Sequence, residues 1–192
     1  GSSWYYLRYM DPNNTKELVS KSREKYWAPV DLYVGGAEHA TRHLIYARFW
    51  HEFLKDINVV STDEPFQRLQ HVGLIGGSDG RKMSKRFGNV INPDDVVKEY
   101  GADTFRLYEM FMGPFDANIS WDTDGIMGPH RFLEKVFRLF QEEVSSKDDG
   151  SLERVLHKAI KKVGEDIEGF RFNTAISELM ICLNAFEKHG VS

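Results

Sequence analysis

The sequence contains one cysteine, Cys182, and no hydrophobic run as long as a membrane span. A single cysteine excludes an intrachain disulfide framework and a zinc site made of cysteine thiolates. No stretch approaches the ~18–20 consecutive apolar residues that a transmembrane helix needs. The first residues carry neither the basic region nor the long apolar run of a secretory signal. We therefore expect a protein of the cytoplasm with no membrane partner.

An excess of positive charge is also missing, since 25 Lys and Arg stand against 29 Asp and Glu, for a net charge of −4. The surface as a whole is therefore not a basic clamp for nucleic acid, although the net charge does not exclude a local basic patch. Neither an internal repeat nor a long low-complexity tract is present. With 41% hydrophobic residues, the 192-residue chain can bury a core, and its length allows one large domain or two small ones.

The first part of the chain has the pattern of an α/β fold. A β-type run at Val30–Val34 ends in Gly35-Gly36, and helical spacing of apolar residues predicts a helix from about Ala37 to Lys55. Further strands are predicted at 59–60 and 71–75. The succession of strand, paired glycines and helix is typical of a nucleotide-binding sheet.

The later part of the chain reads as a mixed connector followed by helices. Asn92 predicts a helix N-cap with Pro93 at the first helical position, and Gly101 separates that helix from the next. From about Pro129 the apolar residues recur at helical spacing in three amphipathic segments. A polar run at 145–150 joins the first two of these segments.

A basic cluster follows the glycine-rich turn at 76–80, and its centre is Lys82-Met83-Ser84-Lys85. Two lysines three residues apart on a flexible segment can wrap a polyphosphate and stabilise the charge that grows on a departing pyrophosphate. The glycines allow such a loop to close and reopen. Composition alone favours a solvated surface loop, and the G-x-x-x-x-G-K pattern of a Walker A loop is absent.

A second candidate site surrounds Gly35-Gly36, where a ligand can approach the backbone closely. Glu38, at the start of the next helix, can accept hydrogen bonds from ribose hydroxyls. His39 and His43 are i, i+4 neighbours on the predicted helix. Two other interpretations stay open, because both histidines could pack at an interface or bind zinc. The protease pattern H-E-x-x-H is absent, and no third ligand is evident.

The segment Ser2–Tyr6 combines small hydroxyls with large rings, which suits the wall of a pocket for an apolar ligand. An ordinary core helix is an equal alternative from the spacing alone. Two further functions also stay open at this point. The basic cluster suits an independent nucleotide-binding or nucleic-acid-binding module, and the histidine pair suits a zinc hydrolase.

Ordered blocks of the sequence resemble the bacterial leucyl-tRNA synthetases, which are class I aminoacyl-tRNA synthetases. Lys82–Lys85 is similar to the second signature of that class, K-M-S-K. The other matching blocks are Ser2–Tyr9, Val30–His39, Tyr100–Pro114 and Arg171–Ser177. A lone K-M-S-K is a weak signal, but these blocks follow the family's order over essentially the whole chain.

The resemblance implies a fold that is α/β first and all-α afterwards. Residues 1–90 would form the second half of a Rossmann-like catalytic domain with the K-M-S-K loop. Residues 91–128 would form a connector that resembles the family's stem-contact region. Residues 129–192 would form the first helices of the tRNA-binding helical bundle, which is an anticodon-binding type of domain.

The resemblance also implies a leucine–tRNA ligase, which activates leucine with ATP and transfers it to tRNA(Leu). The implied catalytic residues are Lys82 and Lys85, which hold the triphosphate and stabilise the departing pyrophosphate. ATP, with Mg²⁺, is a substrate of the parent enzyme, and no metal ligand is implied in this chain. The implied ATP-binding residues are Gly35, Gly36, Glu38, Leu74, Ile75, Lys82, Met83, Ser84 and Lys85. The implied leucine-binding residues are Ser3, Tyr6, His39 and His43.

Several features of the family are absent from these 192 residues. They are the H-I-G-H signature, the editing insertion and the zinc module beside it. In addition, Arg86-Phe87 replaces the usual serine and basic residue after the second lysine. We therefore expect an excised fragment that is inactive alone and holds no cofactor tightly. We also expect exposed apolar patches and self-association through the cut surface.

Overall fold

The computed structural model describes residues 1–141 and 150–188, and the polar run predicted at 145–150 lies almost wholly outside them. The chain divides into two compact units, Gly1–Gly73 and the residues from Leu74 onward. Within the described ranges, no helix combines the length and the apolar character that crossing a bilayer demands.

The first unit is an α/β unit with a short parallel sheet. Its strands β1 (Tyr33–Gly36) and β2 (Leu69–Val72) pair in parallel, with Tyr33 opposite Leu69 and Gly36 opposite Val72. Parallel neighbours need a crossover connection, and the helix α3 (His43–Asp56) between them supplies it. The elements in order are α1 (Tyr5–Met10), α2 (Lys21–Trp27), β1 (Tyr33–Gly36), α3 (His43–Asp56) and β2 (Leu69–Val72).

The core of the first unit forms where α1 and α3 bury their apolar faces. Leu7 and Ala47 are fully buried in this core, and Leu54 and Val60 are buried members of the same cluster. The opposite face of α3 stays exposed and carries large apolar side chains, which are Ile45, Tyr46, Phe49 and Phe53. This exposure confirms the expectation of apolar surface, while self-association stays a prediction.

Two polar side chains are fully buried in the first unit, Glu24 and His51. His51 Nδ1 lies 2.8 Å from the Tyr6 hydroxyl, and His51 Nε2 lies 3.0 Å from the Thr62 carbonyl oxygen. The Glu24 carboxylate accepts hydrogen bonds from the backbone and hydroxyl of Ser61, both at 2.8 Å. These bonds tie the segment that follows α3 to α1 and α2, because buried polar groups need partners.

Four details of the predicted α/β pattern are wrong. The strand predicted at 71–75 is divided between β2 (Leu69–Val72) and β3 (Ile75–Gly76), which belong to different sheets. The helix expected from Ala37 is interrupted: a 3₁₀ turn covers Ala37–His39, and the α-helix begins only at His43. The strand expected at Val30–Val34 is shifted to Tyr33–Gly36, so it includes the paired glycines. Val59-Val60 is no strand, because Val60 instead packs into the core after a left-handed residue at Asn58.

The second unit begins with a small parallel sheet and two short helices. Strand β3 (Ile75–Gly76) pairs with β4 (Ile119–Ser120), and α4 (Pro93–Tyr100) and α5 (Ala102–Phe111) lie between them in sequence. The N-cap prediction is confirmed, because the Asn92 side chain accepts a hydrogen bond from the Asp94 amide at 3.2 Å. Gly101 has a φ of +85° and separates the two helices, as the sequence predicts.

The three predicted amphipathic helices are confirmed as α6 (Met127–Leu139), α7 (Glu153–Glu168) and α8 (Phe172–Lys188). A buried carboxylate, Asp166, fixes the turn between α7 and α8. It accepts hydrogen bonds from Arg171 Nε at 2.8 Å and from the Thr174 hydroxyl at 2.7 Å, and it also pairs with Lys162. The block Arg171–Ser177 therefore has a structural role here, since two of its side chains hold Asp166.

Removing the Asn92 cap tests the start of α4. Asn92→Ala should lower the free energy of unfolding by about 1 kcal/mol, because the Asp94 amide loses its acceptor. Asn92→Asp keeps an acceptor and should retain wild-type stability. Urea denaturation, together with hydrogen exchange of the Asp94 amide, measures both variants, and equal losses in the two would contradict the capping role.

Acidification should destabilise the first unit through His51. Burial is the main cause that lowers the pKa of His51 below its ordinary 6.5. The unfolded chain therefore binds more protons than the folded chain as the pH falls below about 6.5, so the free energy of unfolding declines there. Urea denaturation between pH 7.5 and 5 should show this decline. His51→Gln should reduce the slope, and an unchanged slope would exclude His51 as its source.

Candidate active site

A cavity of about 390 Å³ opens in the first unit at the paired glycines. It lies where β1, β2 and the start of α3 meet the N-terminal segment, and its inner surface is mostly apolar. Its lining consists of Ser2, Tyr5, Tyr33, Val34, Gly35, Gly36, His39, His43, Leu44, Leu69, Gln70 and His71. A concave apolar site with a few converging polar groups is the usual form of a small-molecule site.

A chain of hydrogen bonds crosses this cavity. The Tyr5 hydroxyl lies 2.5 Å from the Tyr33 hydroxyl, which lies 2.5 Å from His43 Nε2. The Tyr33 ring stacks on Phe66 with 3.9 Å between the ring centroids and 16° between the planes. This stacking holds the Tyr33 ring, and through it the two partners of its hydroxyl, in one position.

Burial shifts the pKa of two groups on this hydrogen-bonded chain in the direction that favours their uncharged forms. Burial raises the pKa of Tyr33, with the Tyr5 hydroxyl as a second cause. Burial also lowers the pKa of His43, and the neighbouring His39 adds to that shift. A mostly apolar, aromatic cavity of this kind favours an apolar side chain, because a charged one would lose part of its hydration there.

Gly36 allows Glu38 to fold back against the strand. A Cβ at Gly36 would lie only 2.1 Å from a Glu38 carboxylate oxygen, so any other residue here would displace that side chain. Glu38 itself is exposed in the 3₁₀ turn, where its carboxylate stays open to hydrogen-bond donors. The close approach predicted at the paired glycines is therefore made by a side chain of the same unit.

The four predicted leucine-binding residues have different surroundings. His39 and His43 line the cavity, whereas Tyr6 is buried with its hydroxyl on His51. Ser3 lies in the turn before α1, and the neighbouring Ser2 lines the cavity instead.

The two histidines do not share an α-helix, which corrects their predicted i, i+4 placement. Their rings meet edge to face at 6.1 Å, and His43 Nε2 is already within hydrogen-bond distance of Tyr33. In the ranges 1–141 and 150–188, no three His, Cys, Asp or Glu side chains cluster as metal ligands.

In the second unit, the lysine cluster forms a folded loop directly after β3. Gly76 pairs with Lys82 across the turn in an antiparallel bridge. Met83 is half-buried against the core of this unit, which centres on Trp121 and Ile126. Ser84 caps a 3₁₀ turn at Lys85–Phe87, and Lys82 and Lys85 are both exposed. The loop thus buries its methionine and presents its two lysines to solvent.

Leu74 and Ile75, which the resemblance implies near adenine, lie at the start of this loop. The Leu74 amide donates to the Asn118 side chain at 2.8 Å, and the Leu74 carbonyl accepts from the Ile119 amide at 3.0 Å. Their backbone is therefore held by β4 and the residue before it.

Sequence reasoning missed several residues of these two sites. Tyr33 is the centre of the hydrogen-bonded chain, but an aromatic residue in a strand has the same pattern as a core residue. Its partner Tyr5 belongs to the Ser2–Tyr6 segment predicted as a pocket wall, and Tyr5 does line the cavity. Gln70 and His71 line the cavity because β2 pairs with β1, and that pairing was not predicted. The Asn89 side chain accepts a hydrogen bond from the Ser84 amide at 2.9 Å. The sequence signal that could have identified this residue is an asparagine a few positions after the lysines.

Comparison with known proteins identifies the family of this chain. The sequence matches the family model of class I tRNA synthetases (I, L, M and V) over residues 11–122. A LeuRS of Agrobacterium radiobacter, solved as a ternary complex with tRNA and LeuAMS, is 38% identical to this chain, with a TM-score of 0.89. That match covers 98% of this chain and 26% of the LeuRS.

Two structures of methionyl-tRNA synthetase from Mycobacterium tuberculosis with methionyl-adenylate share the fold at 19% identity. Their TM-scores are 0.61 and 0.63, and each match covers 93% of this chain and 36% of the other. The chain thus spans about a quarter of the LeuRS and about a third of the methionyl enzymes. Since the family model matches more than half of the chain, and a 38% identical LeuRS aligns with nearly all of it, the chain belongs to the class I tRNA synthetases of the I, L, M and V group.

Proposed function

We propose that the chain is part of a leucine–tRNA ligase. In the first step, a leucine carboxylate oxygen attacks the α-phosphorus of ATP, and pyrophosphate leaves with the electrons of the broken bond. In the second step, the 3′ end of tRNA(Leu) accepts the leucyl group and AMP leaves. The observation that carries the proposal is the lysine loop. Met83 anchors this loop to the core of the second unit, and the loop presents Lys82 and Lys85 to solvent.

The roles of the second unit follow from charge. The departing pyrophosphate gains negative charge in the transition state, and two exposed ammonium groups three residues apart can meet it. Lys82 and Lys85 are therefore assigned as catalytic residues. Met83 and Ser84 shape the loop, and the backbone of Leu74 and Ile75 is assigned to adenine.

The roles of the first unit follow from its cavity. The mostly apolar lining supports a leucine side chain, with His39 and His43 from the predicted set and Tyr5 and Tyr33 added. Ser3 and Tyr6 keep their assignment as neighbours of that site. Gly35, Gly36 and Glu38 are assigned to the adenosine, with the exposed Glu38 carboxylate toward the ribose hydroxyls.

The LeuRS that matches this chain is a complex with tRNA and LeuAMS, and this supports tRNA and an adenylated leucine as ligands here. Mg²⁺ enters the proposal only as the companion of ATP, because the cation usually keeps several waters and binds substrate phosphates. The cytoplasmic location stays a prediction.

The 192 residues alone should not catalyse leucine-dependent exchange of pyrophosphate into ATP, because they lack the H-I-G-H signature. A chimaera tests the proposal directly: this chain replaces the matching segment of the Agrobacterium radiobacter LeuRS. We expect leucine-dependent exchange by the chimaera and none with valine, isoleucine or methionine at equal concentration. A soluble, folded chimaera without exchange activity would contradict the proposed function.

Substitution of one lysine in that chimaera tests the role of the loop. Lys85→Ala should lower the exchange rate by about 10²–10³-fold with little change in the KM for leucine, because the ammonium acts on charge that develops in the transition state. Arg86→Ala, which removes the adjacent exposed cation, is the matched control and should keep most of the activity. A raised KM for ATP with an unchanged kcat would show uniform substrate binding instead.

A further inference from the structure

We propose that Asp79, Arg81, Phe87 and Asn89 form a clasp that joins the two ends of the lysine loop and positions Lys82 and Lys85. This inference rests on the proposed function, because it assigns the clasp to the loop that would meet ATP. All four residues lie in the second unit, two before the Lys82–Lys85 segment and two after it. None of them belongs to the set that the sequence resemblance implies.

Asn89 is the centre of the clasp because its amide uses both of its ends. Its Oδ1 accepts a hydrogen bond from the Ser84 amide at 2.9 Å. Its Nδ2 donates to Asp79 Oδ1 at 3.0 Å and to the Lys82 carbonyl oxygen at 3.4 Å. One side chain that follows the two lysines therefore contacts the chain before them and within their segment.

Gly77 provides the space in which Asn89 lies. A Cβ at Gly77 would lie 2.8–3.0 Å from three atoms of the Asn89 side chain, closer than real Cβ atoms approach their neighbours. The Gly77 amide and carbonyl are themselves bonded across the turn, to the Arg81 carbonyl at 2.8 Å and the Gly80 amide at 2.9 Å. The glycine-rich turn thus has a second purpose besides flexibility, since it lets Asn89 approach the backbone.

Arg81 forms the second half of the clasp. Its guanidinium pairs with Asp79 at 2.7–2.8 Å and lies 4.5 Å from the centre of the Phe87 ring. These bonds, led by those from Asn89 and Arg81, lower the pKa of Asp79 to about 2, so Asp79 keeps its charge at neutral pH. Phe87 belongs to the Arg86-Phe87 pair at which the sequence departs from the family pattern, so its contact with Arg81 is a feature of this chain.

The consequence is a loop that is ordered before a ligand arrives and can still open. Exposed ion pairs and cation–π contacts are individually weak, so the clasp can be broken when a product leaves. While it is closed, less conformational entropy is lost when the lysines bind phosphate. Asn89 and Arg81 are therefore positioning residues that act through Lys82 and Lys85.

Limited proteolysis of the 192-residue chain tests the clasp without any activity. Trypsin cleaves after lysine, and the Lys82–Met83 bond keeps its flanking residues in every variant used here. Asn89→Ala and Gly77→Ala should each raise the rate of cleavage at this bond about five- to tenfold, because the locally opened form becomes more populated. Phe87→Leu keeps an apolar side chain without a π face and should raise the rate about two- to fivefold.

The matched control is Asn92→Ala, which removes an asparagine of the same unit from a helix cap outside the clasp. It should leave cleavage at Lys82–Met83 at the wild-type rate, although it lowers stability. If Asn89→Ala and Asn92→Ala give the same rate as wild type, the clasp does not exist. If both raise the rate equally, the effect is general destabilisation, which also overturns the proposal.

A polarity swap gives a second, independent readout. Asn89→Asp places two carboxylates at the 3.0 Å contact with Asp79 and should open the loop more than Asn89→Ala does. Adding Asp79→Asn restores a donor facing an acceptor, so the double variant should regain part of the protection. A double variant that is cleaved as fast as Asn89→Asp would overturn the direct contact.

The active chimaera separates positioning from structure. Asn89→Ala should lower its exchange rate about tenfold with an unchanged KM for leucine, since both lysines are still present. Faster cleavage with an unchanged exchange rate would overturn the positioning role. If the unsubstituted chimaera is inactive, the proposed function fails by itself, and the proteolysis of the chain still decides whether the clasp exists.

Discussion

The lysine loop is shaped by one constraint, which is that two like charges must be held in place while both remain in water. A lysine cannot be buried to fix its position, because its ammonium group would lose its hydration. The chain resolves this conflict with the residues between and around the lysines. Met83 packs against the core of the second unit, and Ser84 caps the turn that carries Lys85. The lysines are thus positioned by neighbours that can be buried or hydrogen-bonded.

The cavity of the first unit solves the opposite problem. There the polar groups are half-buried, and the chain from Tyr5 through Tyr33 to His43 satisfies them mutually. A mostly apolar lining discriminates weakly between apolar ligands, because one methylene is worth only about 1–3 kcal/mol. The resemblance implies an editing insertion in intact relatives, and this weak discrimination is the physical reason for such a second site.

Local signals predicted the parts of the fold that depend on local chemistry. Asn92-Pro93 starts a helix and Gly101 ends it, because capping and a positive φ are decided within a few residues. The helix expected from Ala37 failed for the opposite reason. The Glu38 carboxylate folds back on Gly36, and the chain reorients before His43, where Tyr33 meets the histidine ring. These contacts join β1 to the turn and the helix that follow it, and helical periodicity contains no information about them.

The same distinction explains the candidate sites. The K-M-S-K block and the paired glycines are short and could be found from sequence, whereas their partners lie at a distance or carry no characteristic spacing. Tyr5 and Tyr6 are neighbours in sequence, yet Tyr5 lines the cavity and Tyr6 bonds to buried His51, because adjacent helical residues point about 100° apart. Asn89 follows the lysines by only a few residues, but its role depends on the absent side chain of Gly77. A glycine in a flexible turn therefore also allows a neighbouring side chain to impose order, because it leaves room for that side chain.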